Sequence, residues 1–285
     1  MNEIQTLGVV IPTFNRCQIL RQLLIDLESQ ELGITKIKIY VTDSGSSDKT
    51  KLMIINEFPN VVFIEGTSDW FWSRAINAAL RRAINDKNQY ILTLNDDLRV
   101  EKEYIKNLLK YCNPSRILGS LVVDINDRNI VNYAGTKYNW NPWNLRSYAL
   151  FKGESIAGIP ELIHSHSLTG RGTLFPYEFF NKFGLFEEDR YPQYGSDESL
   201  TLKAYKSGYV LLVIKPAIIY SFVNLTGGSA RSNGKVNYLK DLFRFKSSNN
   251  ILYSTRFILQ HSPKRYKYAN VVVNILKKLL LTFKW

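Results

Sequence analysis

The sequence predicts an α/β fold with a mostly parallel central sheet flanked by helices. Three features predict it. Short apolar runs of strand length alternate with segments of helical period between Gly8 and Asn95. Alternation in this order implies parallel strands joined by right-handed crossovers. The apolar runs stop at polar or acidic groups, in segments 13–16, 43–48, 66–72 and 95–97. The topology brings these to the carboxyl edge of the sheet, where such folds bind ligands.

Residues 8–16 read as a buried strand stopped by Pro12. Residues 17–32 place Ile19, Leu20, Leu23, Leu24 and Leu27 at helical spacing, with Gly33 as a stop. Residues 37–43 form a second strand. The turn-rich Ser44-Gly45-Ser46-Ser47-Asp48 comes next, and Ser47 or Asp48 can cap a helix over 49–57. Residues 61–65 are a third strand, and 70–84 a helix with its apolar side at Ala75, Ala78, Ala79, Leu80 and Ala83. Tyr90-Ile91-Leu92-Thr93-Leu94 is a fourth strand, running into Asn95-Asp96-Asp97. Beyond Arg99 the pattern loosens. Residues 117–123 read as a strand and 126–150 as an antiparallel or irregular insert rich in Asn, Tyr and Trp. Residues 168–175 are a Gly-punctuated strand, 178–183 and 199–206 helical pieces, and 208–214 a further strand.

Hydrophobic residues make up 45% of the 285, enough for a full core, so extensive disorder is not expected. The N-terminal segment has no basic leader, and no apolar stretch approaches the length of a membrane span. Cys17 and Cys112 are too few for a disulfide framework and suit a reducing cytoplasm. No G-x-G-x-x-G comes after the first strand and no Walker A sequence occurs, which disfavours the usual dinucleotide fold and phosphate-loop hydrolysis. The net charge of +12 calls for an anionic partner: nucleic acid, phospholipid or a phosphorylated substrate.

Asn95-Asp96-Asp97 is the most informative stretch. Adjacent carboxylates at the end of a buried strand repel each other and lose hydration. A divalent cation with oxygen ligands relieves this, and a pyrophosphate can complete its shell. A solvated turn with a helix-capping Asp is the alternative for any lone Asp-Asp pair. Farther on, the irregular loop 191–195 leads into Ser196-Asp197-Glu198; Asp197 suits either a helix cap or a catalytic carboxylate delivered by a functional loop.

Six motifs, in order, resemble glycosyltransferase family 2, the inverting nucleotide-sugar transferases of the GT-A (Rossmann-like) fold. They are Val10-Ile11-Pro12-Thr13-Phe14-Asn15-Arg16; Val41-Thr42-Asp43-Ser44-Gly45-Ser46-Ser47-Asp48; Leu94-Asn95-Asp96-Asp97; Gly170-Arg171-Gly172; Gly184-Leu185-Phe186-Glu187-Glu188; and Gly195-Ser196-Asp197-Glu198-Ser199-Leu200. Singly each is weak, and the ordered set is strong. Within the family the chain is most similar to bacterial rhamnosyltransferase-type enzymes of surface polysaccharide assembly, through Trp70-Phe71-Trp72-Ser73-Arg74-Ala75-Ile76-Asn77 and the basic tail. The resemblance implies a GT-A catalytic domain over 1–228, with a nucleotide-binding half (1–99) and a smaller acceptor-side half (100–228), and then a basic helical region over 229–285.

It also implies roles for residues. Thr13 and Asp43 stand where the family binds base and ribose, with Pro12, Asn15 and Arg16 beside them. Asp43 would accept the N3–H of uracil or thymine, while also suiting an Asx turn over Ser44-Gly45. Arg74 would reach the nucleotide or be an exposed helix charge. Asn95-Asp96-Asp97 takes the place of the metal-binding Asp-x-Asp, so Asp97 is the expected ligand of Mg2+ or Mn2+, with Asp96 toward ribose or donor sugar. Asp197 aligns with the general base, Glu198 being the fallback. Trp72, Gly170, Arg171 and Gly172 are expected donor or acceptor contacts; for Arg171 a strand-surface charge is the alternative. Family members often supply a His after the strand that succeeds the base helix. Residues 217–222 contain none, so that metal position falls to water or phosphate. His164 and His166 read as surface or acceptor-side residues.

The expected partners are a UDP- or dTDP-sugar and a lipid-linked glycan, and a homodimer is possible. A nucleotidyltransferase would carry a Gly-rich, Arg/Lys-bearing loop after the first strand, which Pro12-Thr13-Phe14-Asn15-Arg16 is not. A nucleic-acid-binding module is permitted by charge, but Asp43, Asp96 and Asp97 would repel a phosphate backbone. From residue 236 the chain mixes Lys and Arg with aromatic and apolar residues, and 266–285 suit a helix lying in an anionic membrane interface. Each basic residue near such a surface adds about 1 kcal/mol. The alternative is a pair of helices packed on the catalytic domain or on a second subunit. The expected location is the cytoplasm, peripherally associated with the inner face of the cell membrane.

Overall fold

The computed structural model describes residues 6–222 and 235–281. The expected domain boundary at 228, Arg231, Lys284 and Trp285 lie outside the described residues. The first part alternates as the periodicity requires: β1 (Thr6–Thr13), α1 (Cys17–Glu28), β2 (Lys36–Asp43), α2 (Thr50–Glu57), β3 (Val62–Glu65), α3 (Trp72–Asn85) and β4 (Tyr90–Thr93). β1 pairs in parallel with β2 and β4, and β2 with β3. Thr13 and Asp43 therefore sit opposite each other at the carboxyl edge. α1 stops short of residue 32, because Ser29 turns back and its Oγ donates to the Asp26 carbonyl.

The chain continues with β5 (Leu98–Val100), α4 (Tyr104–Leu109), β6 (Arg116–Asp124), β7 (Asp127–Tyr133), β8 (Thr136–Asn139), β9 (Arg146–Ala149), β10 (Leu162–His164), β11 (Thr173–Pro176), α5 (Tyr177–Phe183), α6 (Ser196–Lys206) and β12 (Val210–Ser221). The sheet runs β10-β12-β6-β11-β4-β1-β2-β3, with β5 joined to β12 and β7 to β6. β11 enters antiparallel between β4 and β6. The sheet is thus parallel through β4-β1-β2-β3 and mixed beyond it, since an antiparallel neighbour needs no crossover helix. The 126–150 insert is antiparallel as expected: β7 returns on β6, and β8 pairs with β9.

Only the end of the Gly-punctuated run is strand. Gly172 takes φ 78°, which breaks the extension, and a Cβ there would lie 2.2 Å from Ile219 Cδ1 and 2.6 Å from Ser120 Oγ. Glycine is required on both counts. β12 continues past the expected residue 214, through a register shift that contains Pro216, a place where a strand tolerates proline.

Two apolar layers cover the sheet. Leu20, Leu23, Leu24, Ile54 and Leu108 pack on one face. Ile76, Ala79, Leu80, Phe179 and Leu200 pack on the other, the helix–sheet–helix arrangement that buries both surfaces.

Three helices complete the described chain: α7 (Lys235–Phe243), α8 (Ile251–His261) and α9 (Lys267–Leu281). α8 and α9 run antiparallel, with Asn270 bonded to Ser262, Asn274 to Ser254, and Lys278 to the Asn249 carbonyl. α8 is fastened to α6 and the loop before it by polar groups. His261 Nε2 bonds Ser199 Oγ at 2.9 Å, Gln260 donates to Glu187 at 2.9 Å, Tyr191 donates to Gln260, and Lys206 donates to the His261 carbonyl. Burial above all, with Lys206 and Lys203 adding, pushes the His261 imidazole down to about 3, so the buried ring is neutral.

Candidate active site

The ends of β1 and β4, the loop before β11 and the first turn of α6 surround a cleft of about 630 Å³. Pro12, Arg16, Trp72, Asn95, Asp96 and Asp97 line it from the parallel part of the sheet and α3. Gly170, Arg171, Asp197 and Glu198 line it from the later segments of the chain. The acids at the end of the fourth strand and the acids of α6 therefore share one cavity.

The two strand-end carboxylates differ in environment. Asp96 is fully engaged: its Oδ2 accepts from Thr13 Oγ1 at 2.8 Å and its Oδ1 from Arg16 Nη1 at 2.7 Å. Burial pushes its carboxyl up to about 6; Arg16 opposes this and Asp97 adds to it. Asp97 Oδ2 lies 3.2 Å from the same Arg16 nitrogen. Asp97 Oδ1 is buried and has no hydrogen-bond partner among the described residues. Leaving such an oxygen bare costs about 1–3 kcal/mol, more when charged, and a hard cation is the ligand that carboxylate oxygens suit best. No group of three or more His, Cys, Asp or Glu able to hold a metal occurs among the described residues. The segment lacking the family's His ends β12 at Ser221, whose Oγ accepts from Arg171 Nη1 at 3.2 Å.

Asn95, the variant residue of the motif, accepts from Trp72 Nε1 at 2.9 Å. The Trp72 ring lies against Gly170 so closely that a Cβ there would come within 2.2 Å of Cζ2 and 2.4 Å of Cη2. Gly170 N–H in turn donates to Asp197 Oδ2 at 2.7 Å. A single run of contacts, Asn95 to Trp72 to Gly170 to Asp197, thus ties the two sets of acids together. The neighbouring Ser73 reinforces it, donating its N–H to the Pro192 carbonyl at 2.9 Å and its Oγ to the Tyr191 carbonyl at 2.5 Å.

Asp197 is not a helix cap. Gly195 holds the N-cap position with φ 91°, and Asp197 falls inside the first turn of α6, where the helix N-terminus favours a carboxylate. Its Oδ1 accepts from Glu198 N–H at 2.9 Å. Burial pushes its pKa up, opposed by these N–H groups and by Arg171. Glu198 is pushed up to about 7, first by burial and then by the charge on Asp197, with Tyr138 opposing. Both adjacent acids are therefore pushed upward, and a negative charge on Asp197 holds the proton on Glu198 more tightly.

The model of glycosyl transferase family 2 matches residues 8–169, more than half of the chain and most of the cleft's nucleotide side. The chain belongs to glycosyl transferase family 2. This family-2 glycosyltransferase is 27% identical over 122 residues to an uncharacterized glycosyltransferase of Mycoplasma genitalium, a match covering 42% of this chain and 40% of that one. Among solved structures it is similar to the mannosyltransferase PcManGT of Pyrobaculum calidifontis in complex with GDP-Man and Mn2+ (TM-score 0.60, 15% identity, 99% of this chain and 74% of that one). It is also similar to residues 1–349 of S. aureus TarS in complex with UDP-GlcNAc (TM-score 0.59, 16% identity, 96% and 90%). A third is GalNAc-T7 with UDP, GalNAc and Mn2+ (TM-score 0.64, 16% identity, 96% and 55%). At these identities the likeness is one of fold, the GT-A type.

Other expected site residues of the family-2 chain lie around the cleft rather than in its lining. Asp43 Oδ1 accepts from Ser46 N–H at 3.0 Å and Ser46 Oγ at 2.5 Å. Asn15, at φ 52°, accepts from Ser47 N–H at 2.8 Å, so these two residues stitch the loops after β1 and β2. Arg74 is outside the lining, half-exposed on α3, 3.7 Å from Asp69 and over the Trp70 ring. Gly172 lies beneath the cleft against Ile219 and Ser120. His164 is exposed on β10, and His166 Nδ1 accepts from Tyr138 N–H while its ring stacks on Tyr205.

The far wall is not visible in the sequence pattern. Tyr138 and Trp140 stack with centroids 5.3 Å apart, and Trp140 continues onto Phe257 of α8 at 6.4 Å. Tyr253, Phe257, Asn274 and Lys277, from α8 and α9, complete the lining. The aromatic density of 136–143 is the one local signal of this wall; nothing in the pattern says that the tail folds back over the cleft.

Proposed function

We propose that this glycosyltransferase moves a sugar, with inversion at the anomeric carbon, from a UDP- or dTDP-sugar to a hydroxyl of a lipid-linked oligosaccharide, as a rhamnosyltransferase-type enzyme of bacterial surface polysaccharide assembly working at the inner face of the cell membrane. One observation carries the reading: the bare oxygen of Asp97 and the carboxylate of Asp197 border the same cleft. The uracil or thymine would donate its N3–H to the Asp43 oxygen not used by Ser46, with Pro12, Thr13 and Asn15 shaping the edge beside base and ribose, and Arg74 at the rim.

Asp97 would hold a divalent cation, Mg2+ or Mn2+, the remaining positions filled by phosphate and water oxygens. When bound, the ion neutralises charge on the departing diphosphate. Arg171 and Arg16 add positive charge on the same side. Asp197 takes the proton from the acceptor hydroxyl as its oxygen attacks the anomeric carbon opposite the leaving diphosphate. Asp197, half-buried at the cleft, is held by two N–H groups, so it is fixed in direction before substrate arrives. GDP-Man and Mn2+ in PcManGT, UDP-GlcNAc in TarS, and UDP, GalNAc and Mn2+ in GalNAc-T7 support a nucleotide-sugar donor and a divalent metal.

The test is a thermal-shift series with UDP, dTDP and GDP, each with and without Mn2+. A ligand at a hundred times its Kd stabilises by about 2.7 kcal/mol. UDP or dTDP should raise the melting temperature, more so with Mn2+. Stabilisation by GDP alone would overturn the role of Asp43, and no response to any nucleotide would overturn the function.

A further inference from the structure

Helix α9 is inside out. A surface helix ordinarily turns its apolar stripe toward the protein and its polar face to water. In α9 the polar groups face inward. Asn270 is fully buried and donates to the Trp140 carbonyl and to Ser262 Oγ. Asn274 donates to Ser254 and Lys278 to the Asn249 carbonyl, while the exposed Lys277, at the edge of this face, reaches back to the Leu145 carbonyl. Tyr268, Val272, Leu276 and Leu280 succeed one another at four-residue spacing along one face and are 77%, 55%, 52% and 61% exposed. Trp143, in the short turn Pro142–Asn144 that packs on α9, is 96% exposed. On the antiparallel α8, Leu252 and Leu259 are exposed at seven-residue spacing. Contiguous apolar surface of this kind marks an interaction site.

Charge selects the occupant. Lys264 and Arg265, just before α9, are exposed, and Lys267 opens the helix. Asp241 is the single Asp or Glu between Lys235 and Trp285. A second copy of the chain would set cation against cation, an arrangement that interfaces avoid. An anionic bilayer complements both features, the cations at its headgroups and the apolar face at its acyl boundary, with Tyr and Trp at the interface between them. No helix among the described residues is long and apolar enough to cross a membrane, so the helix would lie in the interface.

We propose that α9, together with Trp143, docks this enzyme on an anionic lipid bilayer and brings the cleft mouth to the membrane surface. The same helix supplies both elements: Asn274 and Lys277 line the cleft from the inward face, while the outward face meets lipid. Only the nature of the molecule that enters the cleft rests on the transferase reading; the docking stands on α9 itself.

The test is cosedimentation of the full chain, without nucleotide, with vesicles of phosphatidylcholine alone and of phosphatidylcholine plus phosphatidylglycerol. The protein should pellet with the anionic vesicles and stay in the supernatant with the neutral ones. Val272→Glu combined with Leu276→Glu should weaken anionic-vesicle binding by at least about tenfold, since each apolar side chain is lost from the acyl boundary. These side chains face solvent, so melting temperature and nucleotide binding should hold. Lys264→Glu with Arg265→Glu should weaken binding in the same direction. Equal vesicle binding by wild type and the Val272/Leu276 variant, or no wild-type binding to anionic vesicles, overturns the proposal. A lipid-free dimer in sedimentation velocity that the Val272/Leu276 substitutions dissolve also overturns it, by giving the face to a second copy. Failure of the transferase reading has a separate signature: no nucleotide response, with vesicle binding intact.

Discussion

Replacing Gly170 by alanine puts a methyl carbon 2.2 Å from Trp72 Cζ2 and 2.4 Å from Cη2, where ordinary contact begins at 3.4 Å. One partner must retreat by about 1.2 Å, the difference between 3.4 and 2.2 Å. Trp72 resists: its Nε1 is bonded to Asn95 and its ring packs edge-on to Phe186 at 5.3 Å. Movement of residue 170 instead draws its N–H away from Asp197 Oδ2, now at 2.7 Å. A hydrogen bond to a charged group is worth about 1.5–3 kcal/mol, and displacing a catalytic group by about 1 Å costs on the order of a hundredfold in rate. Gly170→Ala should therefore lower kcat about a hundredfold with little change in nucleotide affinity. It should also move the acid side of the pH–rate profile upward, because Asp197 loses an N–H that favours its ionised form. The assay is steady-state release of nucleoside diphosphate from the donor that thermal shift selects, measured across pH. Adding Trp72→Leu to Gly170→Ala opens the space and should recover part of the loss, a coupling expected of residues in contact. Wild-type kcat and pH profile in Gly170→Ala would refute the linkage. So would a loss that tracks the folded fraction and that Trp72→Leu leaves unchanged.

Asp197→Asn should reduce transfer by about 10²–10⁴-fold while the nucleotide-induced rise in melting temperature persists; full turnover would remove Asp197 from the base role. The base acts ionised, so the rate should fall as pH drops through the raised pKa of Asp197. Glu198→Gln should keep that acid limb and most of the neutral-pH rate, since Asp197 and not Glu198, whose own pKa is pushed up to about 7, takes the proton. An acid limb near 7 that disappears in Glu198→Gln would give the base role to Glu198. Asp97→Asn should abolish the additional stabilisation by Mn2+ and leave the metal-free nucleotide shift; an unchanged response to Mn2+ would show that the ion is held elsewhere.

The nucleotide side was legible because its information is local. A parallel strand buried on both faces reads as an apolar run, and the residues just after it sit at the carboxyl edge, so Thr13, Asp43 and Asp96 could be placed from sequence alone. β5, β10 and α4 were not seen, being three to six residues long, too short for a period to register. The antiparallel entry of β11 was hidden because a strand carries no mark of its direction. Gly170 and Gly172 look alike in sequence. Contacts from Trp72 and Ile219, far along the chain, decide that one borders the cleft and the other lies below it. The tail's charge and aromatic content were visible, but its inward polar face depends on Trp140, Leu145 and Ser262 being present to receive it.

Arg16 and Thr13 hold the acids at the end of the fourth strand. One guanidinium nitrogen spans both carboxylates, at 2.7 and 3.2 Å, and cancels one of two charges. Asp97 Oδ1 stays bare. With one bare carboxylate oxygen and no further cluster of acids or His among the described residues, a hard ion, which requires several oxygen ligands, would need the oxygens of a diphosphate under the proposed function. Asn95 takes the Trp72 indole N–H. The departure from a paired-acid motif thereby becomes the anchor through which the donor side of the cleft holds Gly170, and through it the direction of Asp197.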